Sequence, residues 1–176
     1  MATTRIMPLH IGKGRTESCA ISKIIDYVAN LQKTDHGRLI TGYECDSRVA
    51  DAEFMLAKRQ YIAATGRVRG ADDVIAYHVR QSFCPGEITP EEANRLGVEF
   101  AKRFTKGKHA FIVCTHIDKA HVHNHIIWSW GIPSTSSAGS RMAIQGHCLP
   151  VLSLNRNNFG TTTVLTIPHD GGGGRH

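Results

Sequence analysis

The chain has 176 residues, 41% of them apolar, which is enough for one globular domain with a core, and its formal net charge of +6 suits a polyanionic partner such as nucleic acid or an anionic membrane surface. No stretch approaches the roughly 18 apolar residues of a bilayer span, and Met1 to Lys13 lacks the apolar run of a signal peptide, so a cytoplasmic protein without membrane insertion is expected. Five scattered cysteines (Cys19, Cys45, Cys84, Cys114, Cys148), odd in number and never in a CxxC pair, argue against a disulfide framework and against a thiolate zinc site.

Along the chain, Ala20, Ile21, Ile24, Ile25 and Val28 recur with the 3.6-residue period, which predicts an amphipathic helix over 16–30. A second helix is predicted over 46–64, ending at Gly66. Residues 74–83 read as a strand. Thr89-Pro90-Glu91-Glu92 is a helix start: Thr89 caps, Pro90 suits the first turn and Glu92 completes a capping box. That helix is expected to run to Lys106 and stop at Gly107. Residues 110–115 form a short apolar strand, 117–120 a turn and 121–128 a further strand, a spacing that suggests an antiparallel hairpin.

Charge falls away abruptly after Trp128. Of 21 Lys and Arg, only Arg141, Arg156 and Arg175 lie beyond it, and of 15 Asp and Glu only Asp170. Segments 151–154 and 163–167 have strand-like composition, but nothing visibly pairs them. The chain therefore divides into a core of residues 1–128 and a tail of 129–176. The tail is either flexible or the product of a reading frame disrupted by a frameshift or inserted element. The second reading is preferred, because the tail is too poor in charge for ordinary disorder and too unpatterned for a domain.

The densest chemistry lies in Thr115-His116-Ile117-Asp118-Lys119-Ala120-His121-Val122-His123-Asn124-His125. Residues two apart on a strand share a face, so His121, His123 and His125 are expected on one side, with His116 swinging in from the preceding strand. Three imidazoles can hold one divalent ion, and neutral ligands leave its double charge available to polarise a phosphate. Asp118 suits an outer role, accepting N–H from a metal-bound imidazole and fixing its tautomer. The alternative is a solvated, histidine-rich hairpin. Of the four tyrosines (Tyr27, Tyr43, Tyr61, Tyr77), Tyr27 lies near the end of the first helix. On spacing alone, a tyrosine there is more often a packing residue with its hydroxyl at the rim.

Tyr27-Val28-Ala29-Asn30-Leu31-Gln32-Lys33-Thr34 resembles the catalytic tyrosine segment Tyr-Val-x-Asn-x-x-Lys-Thr of conjugative relaxase (mobilisation nuclease) domains, the MobA/VirD2-like branch of the His-hydrophobic-His nucleases. His116, Asp118, His123 and His125 are similar to that family's His-x-Asp-x4-His-x-His metal motif, and His78 to Phe83 followed by Pro85 to Ala93 is similar to the stretch between them. The resemblance spans about residues 5–128. It implies an α+β fold with an antiparallel β-sheet and flanking helices, incomplete here after residue 128. It also implies Tyr27 as nucleophile, Asp118 beside the site, and a divalent metal, Mg²⁺ or Mn²⁺, on His116, His123 and His125. His121 becomes an accessory group. Because His121-Val122-His123 fits the His-hydrophobic-His wording better than His123-Asn124-His125, the register of the ligands stays open between His121 and His125.

The implied activity is site- and strand-specific nicking and rejoining of single-stranded DNA at an origin of transfer, through a 5′-phosphotyrosine, in company with accessory transfer proteins. Phenol titrates near pH 10, so the attack needs positive charge nearby. DNA phosphates would fall to Lys13, Arg15, Lys33, Arg38, Arg67, Arg69 and Arg80, each alternatively a solvated surface charge. Three other readings stay open: a replication-initiator or transposase nuclease, which would place its tyrosine after the histidines; a metallohydrolase using metal-bound water; and a non-catalytic remnant that binds only DNA or metal.

Overall fold

Thr16 begins the first helix. Its extended backbone and its hydroxyl, which accepts from Cys19 N at 3.2 Å, cap α1 (Glu17–Val28), and Ile21, Ile25 and Val28 form the buried stripe. The computed structural model to which this helix belongs describes residues 2–67 and 74–129. Around α1 lie β1 (Thr3–His10), β2 (Ile40–Tyr43), α2 (Ala50–Thr65), β3 (Val74–Ser82), α3 (Pro90–Thr105), β4 (Phe111–His116) and β5 (His123–Ser129).

The capping box at Thr89 is present in full: Thr89 Oγ1 accepts from Glu92 N, and Glu92 Oε2 accepts from Thr89 N. α3 ends where Lys106 and Gly107 both turn left-handed. α2 starts four residues later than the sequence predicts, because the Asp46 carboxylate accepts from the Arg48 amide and guanidinium and holds 46–49 as a turn. It ends at Gly66 with φ 64°, as expected.

The strands form one sheet in the order β1-β3-β5-β4-β2, every pair antiparallel. This is the expected α+β arrangement. The two edge strands, β1 and β2, were not foreseen. β1 buries little beyond Thr4 and carries Pro8, which an edge strand tolerates because one side needs no ladder partner. β2 is four residues long and contains Gly42. Neither offers the alternating apolar signal by which a strand is read.

Each face of the sheet carries its own core. Ile112, Cys114 and Ile127 pack with Ile21, Ile25, Val28 and Phe54 of α1 and α2. Phe111, Val113, Ile126, Trp128 and Val79 pack against α3. A part-buried ion pair, Lys58 Nζ to Glu17 Oε1 at 2.7 Å, ties α2 to the start of α1. A polar network seats α3. Asn124 Nδ2 donates to Ala93 O at 2.6 Å and to Gln81 Oε1 at 3.2 Å, while its Oδ1 accepts from Thr115 Oγ1 at 2.7 Å. Asn94 joins through Thr41, Leu39 and Thr115. No helix among the described residues is long and apolar enough to cross a membrane. Arg69 and the tail from residue 130, with the strand-like segments 151–154 and 163–167, lie outside the described residues.

Candidate functional site

The site lies on the α1/α2 face, at the end of the β4–β5 hairpin. His116 closes β4 and stands directly opposite His123, the first residue of β5, while His125 lies one step further along the same face. All three imidazoles are buried, and each offers a ring nitrogen within 4.8 Å of the others. Asn124, between the last two, points to the opposite face and into the network under α3. The middle of His-x-His is therefore polar here because a buried amide, rather than a bulky apolar side chain, holds the helix.

Hydrogen bonds constrain the tautomers. His116 Nε2 donates to Val28 O at 2.8 Å, which leaves its lone pair on Nδ1. His123 Nδ1 faces His121 O at 3.4 Å, and His125 Nδ1 meets His78 Nε2 at 2.7 Å. His116 Nδ1 and His125 Nε2 are buried without a hydrogen-bond partner among the described residues. A buried nitrogen left so costs about 1–3 kcal/mol, and coordination of a cation relieves that cost. Burial lowers the pKa of all three imidazoles, and the charges of His116, His78, His123 and Arg80 lower that of His125 further, which favours their neutral, lone-pair-bearing form. His116, His123 and His125 therefore fit a divalent ion.

Tyr27, in the last turn of α1, projects over this cluster and is half exposed. Its ring lies edge-on to His116 at 6.1 Å and to His125 at 5.7 Å between centroids. The following loop is fastened to the end of β4. Asn30 Oδ1 accepts from Gln32 N, buried Thr34 donates to Asn30 O, and Lys33 O accepts from Ile117 N at 2.9 Å. These bonds give physical work to the Asn, Lys and Thr of the tyrosine segment. Lys33 Nζ stands 4.8 Å from the centre of the Tyr27 ring and 3.5 Å from Asp118 Oδ2. The Asp118 carboxylate is lowered in pKa by Lys33, His116 and His123, against a desolvation that raises it. It meets Lys33, whereas the outer nitrogen of His116 is taken by the Val28 carbonyl.

His121 precedes β5 instead of lying on it. Its ring is 5.3 Å from that of His123, and its nitrogens are not part of the gathered trio. The expectation that His121, His123 and His125 share one strand face is corrected on this point, because the turn extends through Val122. Lys13 and Arg15 precede α1, so about 15 Å of helix separates them from Tyr27. Arg38 pairs with Asp35 at 3.0 Å, and Arg67 is exposed beyond α2. Arg80 is different: it lies directly across from His125 on β5 and from Arg5 on β1, so Arg5, Arg80 and His125 form one row on the site's face. Neither arginine meets a carboxylate among the described residues. Sequence reasoning missed Arg5 and His78. Only strand register brings either to the cluster, although the family-like segment beginning at His78 was a signal for the second.

Three buried imidazoles at the end of an antiparallel hairpin, with a half-exposed tyrosine over them, make the class of site that could hold a metal ion beneath a tyrosine-bearing helix. Comparison with known proteins gives the family. The relaxase MobA/VirD2-like nuclease-domain model matches residues 27–134, more than half of the chain, and the chain belongs to that family. It is 36% identical over 128 residues to Protein rlx of Staphylococcus aureus, covering 72% of this chain and 33% of that protein. It is 30% identical over 129 residues to the group II intron-interrupted relaxase LtrB of Lactococcus lactis subsp. cremoris (strain MG1363), covering 62% of this chain and 23% of that protein. The chain thus spans about a quarter to a third of the length of these curated relatives.

Proposed function

We propose that this chain nicks and rejoins one strand of DNA at an origin of transfer, with Tyr27 as nucleophile and a divalent ion on His116, His123 and His125. The observation that carries this reading is the placement of Tyr27, half exposed and edge-on to two histidines of the trio. When bound, the ion supplies Lewis-acid stabilisation of the scissile phosphate. An all-imidazole donor set suits manganese better than magnesium, since magnesium prefers carboxylate and water oxygen.

The rest falls to the chain's own groups. The Tyr27 oxygen attacks phosphorus, the bond to the 3′-oxygen breaks, the phenol loses its proton and the departing 3′-hydroxyl gains one. The product is a 5′-phosphotyrosine that retains the phosphodiester's energy for rejoining. Lys33, over the Tyr27 ring, favours negative charge on the attacking phenol, and Asp118 holds Lys33 there. Arg80 and Arg5 receive backbone phosphates beside the trio, with lesser support from Lys13, Arg15, Arg38, Arg67 and Arg69. His121 is an accessory contact to substrate or water. Accessory transfer proteins complete the partner set.

A second reading is a non-catalytic remnant that binds DNA or metal only. It is favoured by the loss of charge after Trp128, six residues before the family match ends at 134. Residues 1–128 then form the nuclease core, and 129–176 derive from a disrupted frame. An inserted element, the kind of interruption named for the Lactococcus relative, produces such a break.

Covalent capture separates these readings. Wild type and Tyr27→Phe are incubated with Mn²⁺ or Mg²⁺ and labelled single strands from the host element's transfer origin, beside a relative with an intact C-terminal portion. An SDS-resistant adduct that is absent from Tyr27→Phe and abolished by EDTA is expected. An adduct only with the intact relative assigns this copy to the remnant reading. An adduct with neither protein removes the relaxase reading. Turnover that survives Tyr27→Phe but not His123→Ala points instead to a metallohydrolase.

A further inference from the structure

We propose that His78 is a positioning residue for the metal centre, holding His125 in the tautomer whose Nε2 lone pair faces His116 and His123. The inference rests on the metal-binding reading above and assigns the group that prepares one of its ligands. His78 is on β3, opposite Ile127, so it reaches His125 along the diagonal of an antiparallel pair, and the two rings meet with Nε2 and Nδ1 at 2.7 Å.

That contact needs one donor and one acceptor, and two proton arrangements satisfy it. In the first, His78 donates from Nε2, and the proton of His125 must then sit on its own Nε2. That nitrogen is buried with no acceptor among the described residues. A buried N–H without an acceptor is costly, so this arrangement is disfavoured. In the second, His125 Nδ1–H donates to His78 Nε2, and the proton of His78 moves to its own Nδ1. His78 is only half-buried, and its Nδ1 is not among the buried unpartnered nitrogens, so water can serve it.

The second arrangement leaves the His125 Nε2 lone pair directed at the trio. It is also the only neutral tautomer of His125 that can ligate through Nε2. Val28 O does the same for His116 through a backbone carbonyl. Here the acceptor is a side chain, so it can be replaced.

The test uses the full 176-residue chain as wild type, His78→Phe, His78→Gln and His123→Ala. Mn²⁺ affinity is measured by calorimetry, and the His125 tautomer by long-range ¹H–¹⁵N spectra of the metal-free protein. Wild type is expected to show the Nδ1–H tautomer. His78→Phe keeps a ring but no acceptor, so it should mix the tautomers and bind Mn²⁺ about 10–100-fold more weakly. His78→Gln restores an acceptor and should recover most of the affinity. A thermal melt of the metal-free variants separates this effect from loss of fold, and the wild-type spectrum decides the tautomer even where a variant fails to fold. An Nε2–H tautomer in wild type overturns the proposal. So does His78→Phe binding Mn²⁺ within about twofold of wild type with an unchanged tautomer, and in that case the metal reading stands. If wild type binds no Mn²⁺, or His123→Ala binds it as tightly, the metal reading itself fails.

Discussion

His116 donates its Nε2–H to the carbonyl oxygen of Val28 at 2.8 Å, so a histidine of the trio is bonded to the residue next to Tyr27. Contact between the tyrosine-bearing helix and the histidine hairpin is therefore built into the trio itself. His116→Ala is expected to abolish metal binding and to lower the stability of the metal-free protein by about 2 kcal/mol or more, through a cavity and an unpaired carbonyl. His123→Ala should abolish metal binding at a smaller cost, because its hydrogen bond to the His121 carbonyl is 3.4 Å long. Urea denaturation beside metal titration distinguishes the two. Equal stability losses would show that the bond to Val28 contributes little.

Lys33 faces both the Tyr27 ring and Asp118. Lys33→Met is expected to slow covalent adduct formation by about tenfold, through loss of the positive charge beside the attacking phenol. Lys33→Arg should retain most of the rate. Single-turnover measurements at saturating DNA provide the check. A loss confined to DNA affinity would assign Lys33 to DNA binding alone.

Arg5 and Arg80 stand opposite each other beside His125, an arrangement that costs stability unless an anion lies between them. The double substitution Arg5→Gln, Arg80→Gln should fold at least as stably as wild type. Each phosphate contact to a single strand contributes about 0.7 to the slope of log K against log salt, so the slope should fall by roughly 1.4. Fluorescence anisotropy at several salt concentrations measures it. An unchanged slope would place the DNA track elsewhere.

Burial, with Arg80 and His116 beside it, holds His78 down at about 4. Burial first also depresses His125, His116 and His123, with neighbouring histidines adding to it for His125 and His123 and the Lys33 and Lys119 charges for His116. Below the unfolded histidine value of 6.5 the unfolded chain therefore binds more protons than the native one. Stability is fully present above that pH and is lost as the pH falls through 6 toward 4. Urea midpoints of the metal-free protein between pH 7.5 and 5, above the range where carboxylates titrate, should decline steadily. A midpoint flat across that window would mean that the cluster is more solvated than its geometry indicates.

A Cβ at Gly97 would lie 2.7 Å from Asn124 Nδ2 and 2.8 Å from Val113 Cγ1. Gly97→Ala gains helix propensity of about 1 kcal/mol but must push α3 off the sheet, at about 1–3 kcal/mol. A lower melting temperature is expected, because the asparagine that seats α3 has no room to move. A higher one would show that α3 can slide without loss.

Much of this protein was legible along the chain. The Thr16 and Thr89 caps, the stripe of Ile21, Ile25 and Val28, and the hairpin around His116 to His125 are local patterns. Their hydrogen bonds and periodicities lie within a few residues of one another, and the tyrosine and histidine segments together pointed to the family. β1 and β2 were not legible, because an edge strand is defined by the neighbour it pairs with. Likewise, Asn124 looked like a departure from an apolar position until its partners, Gln81 and Ala93, were brought to it across the sheet and α3. Which histidines gather was decided by where the turn ends and β5 begins, which removed His121. The assignments of Lys33 to the tyrosine, Val28 O to His116 and Arg5 beside Arg80 were decided by register and helix docking. The physical reason is range: caps and periodicity act over one helical turn, whereas a three-imidazole centre needs groups from β3, β4, β5 and α1 within a few ångströms, and only the closed sheet provides that.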